Sequence, residues 1–403
     1  LLFQLLDNKS DCPGYYLDGE LHTSQPLPDS VNATWKYSSK LKSHKNNKAM
    51  RYANLYVGGK SLDEVCPEHI EQQWASSSQK LKAFYRSFVE ARVSLEENCF
   101  FDLVPKHFLI QYYDLRNKIT SHVLENYDRP DNYRFLRDLA VLIDDIRNRP
   151  MNIDTSQLTQ HLHKMPARNF LSKVNYAKPI CDYNMFGTKT GRLTTKKGTF
   201  PILTMDREYR SIVKPVNDCF LELDFNAAQL RTMLSLLGEK QPDLDLHEWN
   251  RLKFFDGNIT REEAKRKAFA WLFGSSREKD QSPEMQKMYD KDRLKREYWD
   301  GTHVTTPFGR KIAADEHHAL NYLLQSTCVD NTLRQMIAVH KMLKRTKSFV
   351  AFTMHDSVII DMDFEERALI PVIVSVFSGT KLGEFATNIK AGKDYGNMKD
   401  LME

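Results

Sequence analysis

The sequence predicts an α+β fold, an antiparallel sheet with helices on one face and a mainly helical region ahead of it. Three observations carry that reading. Phe220-Leu-Glu-Leu-Asp224 is an apolar run that ends on an aspartate, the pattern of a buried strand. The stretch from Ser348 to Met362 reads as two apolar strands that meet at a polar tip, His355-Asp356-Ser357. From Pro67 to Arg149 the periodicity is helical instead, with Gln79-Lys-Leu-Lys-Ala-Phe-Tyr-Arg-Ser-Phe-Val-Glu-Ala-Arg-Val93 spacing its apolar residues at three and four.

Residues 1–65 read as short strands and loops of unclear role. Within them Lys40, Lys42, Lys45, Lys48 and Arg51 form a basic stretch, read as a solvated loop. Residues 66–175 form the helical region, punctuated by Asp128-Arg-Pro-Asp131 and Arg147-Asn-Arg-Pro150. Beyond about residue 175 strands and helices mix. A helix is expected over Ala227–Leu237, closed by Gly238, and another over about Thr260–Phe273. Thr260-Arg-Glu-Glu263 is a capping box, which specifies where the second one starts. A long helix over about Glu316–Lys344 leads into the hairpin.

The composition is ordinary for a globular chain of 403 residues: 41% hydrophobic, 28% charged and a formal net charge of +5, which permits a polyanionic partner without requiring one. Six cysteines are scattered with no CxxC pair, which points to free thiols in a reducing compartment and away from a zinc site. No apolar run approaches transmembrane length. The chain opens Leu1-Leu-Phe-Gln4 rather than with methionine, as a fragment or a processed product would.

Asp224 and Asp356 each end or join apolar strands. Taken singly, either reads as a turn former. On neighbouring strands the two could hold a metal pair roughly 3.5–4 Å apart, the arrangement used for in-line phosphoryl displacement. Asp361, five residues further on, is the weaker candidate. Arg261, Lys265, Phe269 and Phe273 recur every fourth residue, so they share one slanting stripe of the predicted helix. Two cations suit the phosphates of a nucleotide, and two phenyl rings suit its sugar and base. A solvated amphipathic helix is the alternative, to which Glu262, Glu263, Arg266 and Lys267 contribute.

These residues resemble the motifs of family A, Pol I-like DNA polymerases. Arg261-x3-Lys265-x3-Phe269-x3-Phe273-Gly274 resembles motif B, Asp224-Phe-Asn-Ala-Ala-Gln-Leu-Arg231 motif A, and Met354-His-Asp-Ser357 motif C. Four further stretches agree in order: Thr190-Gly-Arg-Leu-Thr-Thr195, Leu244-Asp-Leu-His247, Thr305-Thr-Pro-Phe-Gly-Arg-Lys311 with Asn321-x3-Gln325-Ser-Thr327, and Ala391-Gly-Lys-Asp-Tyr-Gly396. The match spans about residues 176–403. The resemblance implies a right-hand polymerase fold with an antiparallel palm sheet, helical fingers and a thumb-like helical region. Palm would then comprise 176–232 and 301–403, fingers 233–300, and the thumb-like region 66–175.

It also implies a template-directed, phage-type DNA polymerase that adds dNTPs to a primer 3′-hydroxyl with two Mg²⁺ ions held by Asp224 and Asp356. Lys265 and Arg261 would bind the triphosphate, with Lys265 as a proton donor to the pyrophosphate. Phe269, Phe273, Gln229 and His247 would contact the nucleotide. Arg192, Asn321, Gln325 and His355 would contact the primer–template, and Arg207-Glu-Tyr-Arg210 would add a triphosphate contact or ordinary surface charge. Implied partners are primer–template DNA and dNTPs, with a processivity factor or a separate exonuclease subunit as further candidates, no membrane, and the cytoplasm of a bacterial host if the chain is phage-encoded. Asp18-Gly-Glu20 echoes the start of the family's exonuclease, but without later partners it reads as a turn.

Three departures accompany the resemblance. Gln229 stands where the DNA enzymes usually carry the glutamate that excludes ribose, and Phe273 where they often carry its tyrosine partner. The Phe ring lacks the hydroxyl and the amide lacks the charge, so the two changes are mutually consistent, and Gln229 keeps the length to crowd a 2′-hydroxyl. Ser357 stands where glutamate is usual. His-Asp-Ser also occurs in single-subunit, phage-type RNA polymerases, which keeps an RNA polymerase as the second reading, opposed by Gln229 and Phe269. A catalytically silent nucleic-acid-binding homologue is the third, opposed by the complete set Asp224, Asp356, Arg261 and Lys265.

Overall fold

The computed structural model describes residues 3–5, 15–17, 20–22, 62–93, 103–128, 131–273 and 283–401. The basic stretch at 40–51, Asp18, Gly19, Gly274, Cys12 and Cys99 lie outside the described residues. The chain divides into two compact units, Leu1–Asp144 and Asp145–Glu403.

In the first unit, strands β1 (Phe3–Leu5), β2 (Tyr15–Leu17) and β3 (Glu20–His22) form an antiparallel meander. Helices α1 (Glu68–Glu90) and α2 (Lys106–Asn126) pack on each other, and α3 (Tyr133–Arg147) follows them in the chain. Pro67 stands at the N-cap of α1, with Glu68 and Glu71 in its first turn, where the positive end of the helix dipole favours them. Phe108, Tyr112, Leu115, Ile119 and Val123 recur at steps of four and three, forming one apolar stripe of α2. That stripe closes over Ile70 and Trp74, whose indole stacks on Tyr112 at 5.3 Å and donates its N–H to Asp63. Among the described residues, the helical reading of 67–149 agrees with these three helices.

The second unit is built on a five-stranded antiparallel sheet of β8 (Cys219–Phe225), β11 (Phe349–Met354), β12 (Ser357–Met362), β15 (Thr387–Gly392) and β16 (Lys399–Asp400). Their order is β11-β12-β8-β15-β16, which places β8 at the centre. Small antiparallel pairs accompany it: β4 (Asn152–Ile153) with β7 (Val213–Lys214), β5 (Tyr183–Asn184) with β6 (Thr194–Thr195), β9 (His303–Thr305) with β10 (Lys311–Ala313), and β13 (Gly379–Thr380) with β14 (Gly383–Glu384).

Along β8 side chains alternate between faces. Leu221, Leu223 and Phe225 are buried, whereas Glu222 and Asp224 are half-buried on the other face. Helices α5 (Ala228–Leu237), α10 (Glu316–Met342) and α11 (Ile370–Ser378) cover the sheet, with Phe225 stacked on Phe377 of α11 at 4.4 Å. α10 is buried over most of its length, which explains why it lacks a clean polar stripe. Short helix α4 (Met165–Tyr176) precedes the sheet.

A helical insertion separates α5 from β9: α6 (Leu246–Phe255), α7 (Arg261–Phe273), α8 (Pro283–Met288) and α9 (Lys291–Tyr298). Its core joins Leu246, Ala268, Trp271, Leu272, Met285 and Tyr289 to Leu320 and Leu324 of α10. The expected antiparallel sheet with an inserted helical segment is therefore present. Among the described residues Cys66, Cys181, Cys219 and Cys328 are free thiols, and no helix is long and apolar enough to cross a membrane.

Candidate active site

Asp224 occupies the penultimate position of the central strand. Its cross-strand neighbours are Ser357 on β12 and Asn388 on β15. Asp356 immediately precedes Ser357, so the register brings the two aspartates side by side across the β8–β12 edge. A two-residue turn makes this placement: His355 takes φ 56°, a left-handed conformation that is uncommon for a side chain of this size. The turn is braced from below. Ser357 Oγ donates to the Met354 carbonyl at 3.0 Å, Thr353 Oγ1 donates to the Ser357 carbonyl at 2.7 Å, and the buried Tyr183 hydroxyl bridges the Thr353 carbonyl and N–H at 2.7 and 3.1 Å. Asp361 instead accepts from the N–H groups of Val216 and Asn217 at 2.6 and 2.9 Å, which gives it a structural role.

Neighbouring carboxylates disfavour charge on Asp224. Burial, then Glu222, then Asp356 push the Asp224 carboxyl up to about 7, against opposing help from Asn388 and Lys390. Glu222 lies two residues before Asp224 and therefore on the same face of the strand. Sequence reasoning passed over Glu222, although the period of two would have found it. Asp356 Oδ1 is buried without a hydrogen-bond partner, and Asp356 Oδ2 lies 3.7 Å from Arg192 Nη2.

Among the described residues no group of three or more His, Cys, Asp or Glu side chains assembles into a ready metal cage. Two adjacent carboxylates, one carrying an orphaned oxygen and the other penalised for its charge, do fit a hard divalent cation that takes one or two carboxylates and completes its shell with substrate oxygens.

Behind the strand end, Asn226 and Arg231 lock the turn into α5. Ala227 takes φ 49° at its N-cap. The fully buried Arg231 donates Nε to the Asn226 carbonyl at 2.8 Å and its terminal nitrogens to the carbonyls of Pro242 and Leu244 at 2.9 and 2.8 Å. Asn226 in turn donates to Asp245 at 2.6 Å and accepts from the Leu246 N–H at 3.0 Å. Asp245 caps α6 and pairs with Arg261 of α7 through contacts of 3.0 and 2.8 Å. That bidentate contact, with its hydrogen bonds, holds the Asp245 carboxyl far below the ordinary range.

The stripe of α7 is therefore divided in use. Arg261 is engaged by Asp245 and Glu262, while Lys265 is exposed. Phe269 and Phe273 stack on each other at 5.9 Å, and the His247 ring stands 6.1 Å from Phe269. Burial, with Arg261 and Lys265 nearby, drives the His247 imidazole down to about 4, so it is neutral, and its Nδ1 has no hydrogen-bond partner. Gln229 is half-buried in the first turn of α5. The capping box is complete: the Thr260 N–H donates to Glu263 at 2.8 Å and the Glu263 N–H to Thr260 Oγ1 at 3.2 Å.

Phe273 also lines a cavity of about 590 Å³ with Trp271, Lys287, Lys291, His317 and Asn321. Gln325, one turn along α10 from Asn321, is half-buried. His355 is exposed at the hairpin tip. Two contacts escaped sequence reasoning because long stretches of chain separate the partners. The Arg210 guanidinium lies 5.1 Å above the Tyr395 ring, and Lys164 holds Glu208 at 2.7 Å.

Comparison with solved structures finds a similar architecture in the POL domain of Pol1 from M. smegmatis, in complex with DNA primer-template and dNTP. The TM-score is 0.57 at 12% identity, covering 72% of this chain and 76% of that one. The fold resembles a DNA polymerase domain. Comparison with family models and with curated proteins finds no match.

Proposed function

We propose that the chain is a template-directed DNA polymerase of the Pol I-like type, extending a primer 3′-hydroxyl with dNTPs. The observation that supports this most is the pairing of Asp224 and Asp356 across the central strands of a sheet whose fold resembles a DNA polymerase domain. On this reading the sheet is the palm, 233–300 the fingers and 66–175 a thumb-like region.

Asp224 and Asp356 would hold two Mg²⁺ ions, which when bound supply charge neutralisation at the attacking and leaving oxygens. The chain's own residues would do the rest. Lys265, exposed on α7, would reach the triphosphate as a mobile point charge and donate a proton to the departing pyrophosphate. Arg261 would serve partly as a strut, since its guanidinium already ties α7 to the N-terminus of α6 through Asp245. The Phe269–Phe273 stack offers apolar surface to the sugar and base, and neutral His247 beside it adds a hydrogen-bonding edge without competing for metal charge. Gln229 would crowd the sugar 2′ position. Arg192, Asn321, Gln325 and His355 would line the primer–template side.

The test is extension of a labelled primer–template with dNTPs or with rNTPs. Efficient dNTP addition and weak rNTP addition are expected. A ratio near one removes the sugar-selectivity assignment of Gln229, primer-free synthesis from rNTPs selects an RNA polymerase, and no synthesis with either leaves only a nucleic-acid-binding protein.

A further inference from the structure

Arg192 sits in a loop restrained at several points. Thr188 Oγ1 donates to the Arg192 carbonyl at 2.9 Å. Gly191 takes φ 83°, and a Cβ there would lie 2.6 Å from the Arg310 guanidinium packed against it. Arg310 is itself fixed on the buried Asp330 by hydrogen bonds of 3.1 and 2.6 Å. These restraints narrow the directions open to residue 192, and its guanidinium Nη2 comes to 3.7 Å from Asp356 Oδ2. The pair is left unsaturated: Arg192 Nε and Asp356 Oδ1 are both buried without a hydrogen-bond partner. Arg310–Asp330, with both contacts made, shows what a closed structural bridge looks like in the same unit. Arg192–Asp356 is an ion pair whose two members each retain a site for something else.

We propose that Arg192 is the internal counter-cation of Asp356 in the free protein, so that a divalent metal ion and the Arg192 guanidinium compete for one carboxylate. A primer terminus that draws Arg192 onto itself would release Asp356 to the metal. Arg192 thus acts as a positioning residue that couples occupancy by DNA to occupancy by metal. Linkage then requires metal to tighten DNA binding by the factor with which DNA tightens metal binding. The inference rests on the polymerase reading for the identity of the DNA ligand and for Asp356 as a metal ligand.

The experiment is an electron paramagnetic resonance titration of Mn²⁺ into the full chain, with and without primer–template, after subtraction of the metal held by DNA alone. Without DNA, Arg192→Gln is expected to bind Mn²⁺ about tenfold more tightly than wild type. Arg192→Lys, which keeps the charge, stays near wild type, and Asp356→Asn loses the site. With primer–template, wild type rises towards the Arg192→Gln value. Equal affinities of wild type and Arg192→Gln without DNA, with Asp356→Asn weakened, overturn the competition and leave the metal site standing. Unchanged affinity in Asp356→Asn overturns the metal site and the competition with it. Should Arg192→Gln fail to fold, wild type alone decides, because an unchanged Mn²⁺ affinity on adding primer–template overturns the coupling.

Discussion

Asp224 concentrates the electrostatic cost of the sheet. Its carboxyl, ordinarily near 3.8, is pushed up to about 7 by burial, Glu222 and Asp356, so the folded state holds this proton more tightly than the unfolded chain does. The sign follows: stability contributed by the protonated group is present below the ordinary carboxylate value and is lost as pH rises towards 7. Asp224→Asn should therefore stabilise the metal-free protein at pH 8 by on the order of 1–4 kcal/mol, with the gain shrinking towards pH 4. Urea unfolding of both proteins at the two pH values checks this, and equal stability at pH 8 would contradict it. The same carboxyl must be ionised to accept a metal, so Mn²⁺ affinity should fall as pH drops below about 7. His247, driven down to about 4, should contribute no titration between pH 6 and 8.

Single elements depend on contacts of very different sequence range. The capping box of α7 is written in four consecutive residues and is legible from those residues alone. Thr260→Ala should cost about 1 kcal/mol, read as a shift in the thermal unfolding midpoint. The hairpin is equally legible, because apolar alternation and the polar tip lie within fifteen positions. Its brace is not: Tyr183 reaches Thr353 across a separation of 170 residues. Tyr183→Phe removes that hydroxyl from a fully buried site and leaves the Thr353 N–H unpaired, at an expected cost of roughly 1–3 kcal/mol by denaturant titration. Arg231 is the parallel case. It closes the motif A stretch in the sequence, and the structure shows it buried, spending its donors on Asn226, Pro242 and Leu244. Arg231→Met should destabilise the protein by roughly 1–3 kcal/mol, since the carbonyls of Asn226, Pro242 and Leu244 lose the donor that ties them together.

Across the whole molecule, the alternation along β8 and the order of the motifs make the sheet and its two aspartates legible. The division of labour on α7 is not, because Asp245 captures Arg261 through a loop whose conformation no local pattern encodes. Nor can periodicity reveal that Arg192 faces Asp356, since the two meet only when the loop before β6 packs beside the hairpin. The likeness to the POL domain of Pol1 is one of architecture, at 12% identity. On the proposed reading Asp224 and Asp356 together form one catalytic metal site. Single-nucleotide primer extension by wild type and Asp356→Ala, with Mg²⁺ present and folding checked by circular dichroism, tests it most directly. Extension by wild type and a loss of at least about a thousandfold in the variant are expected. Comparable extension by both proteins would contradict it.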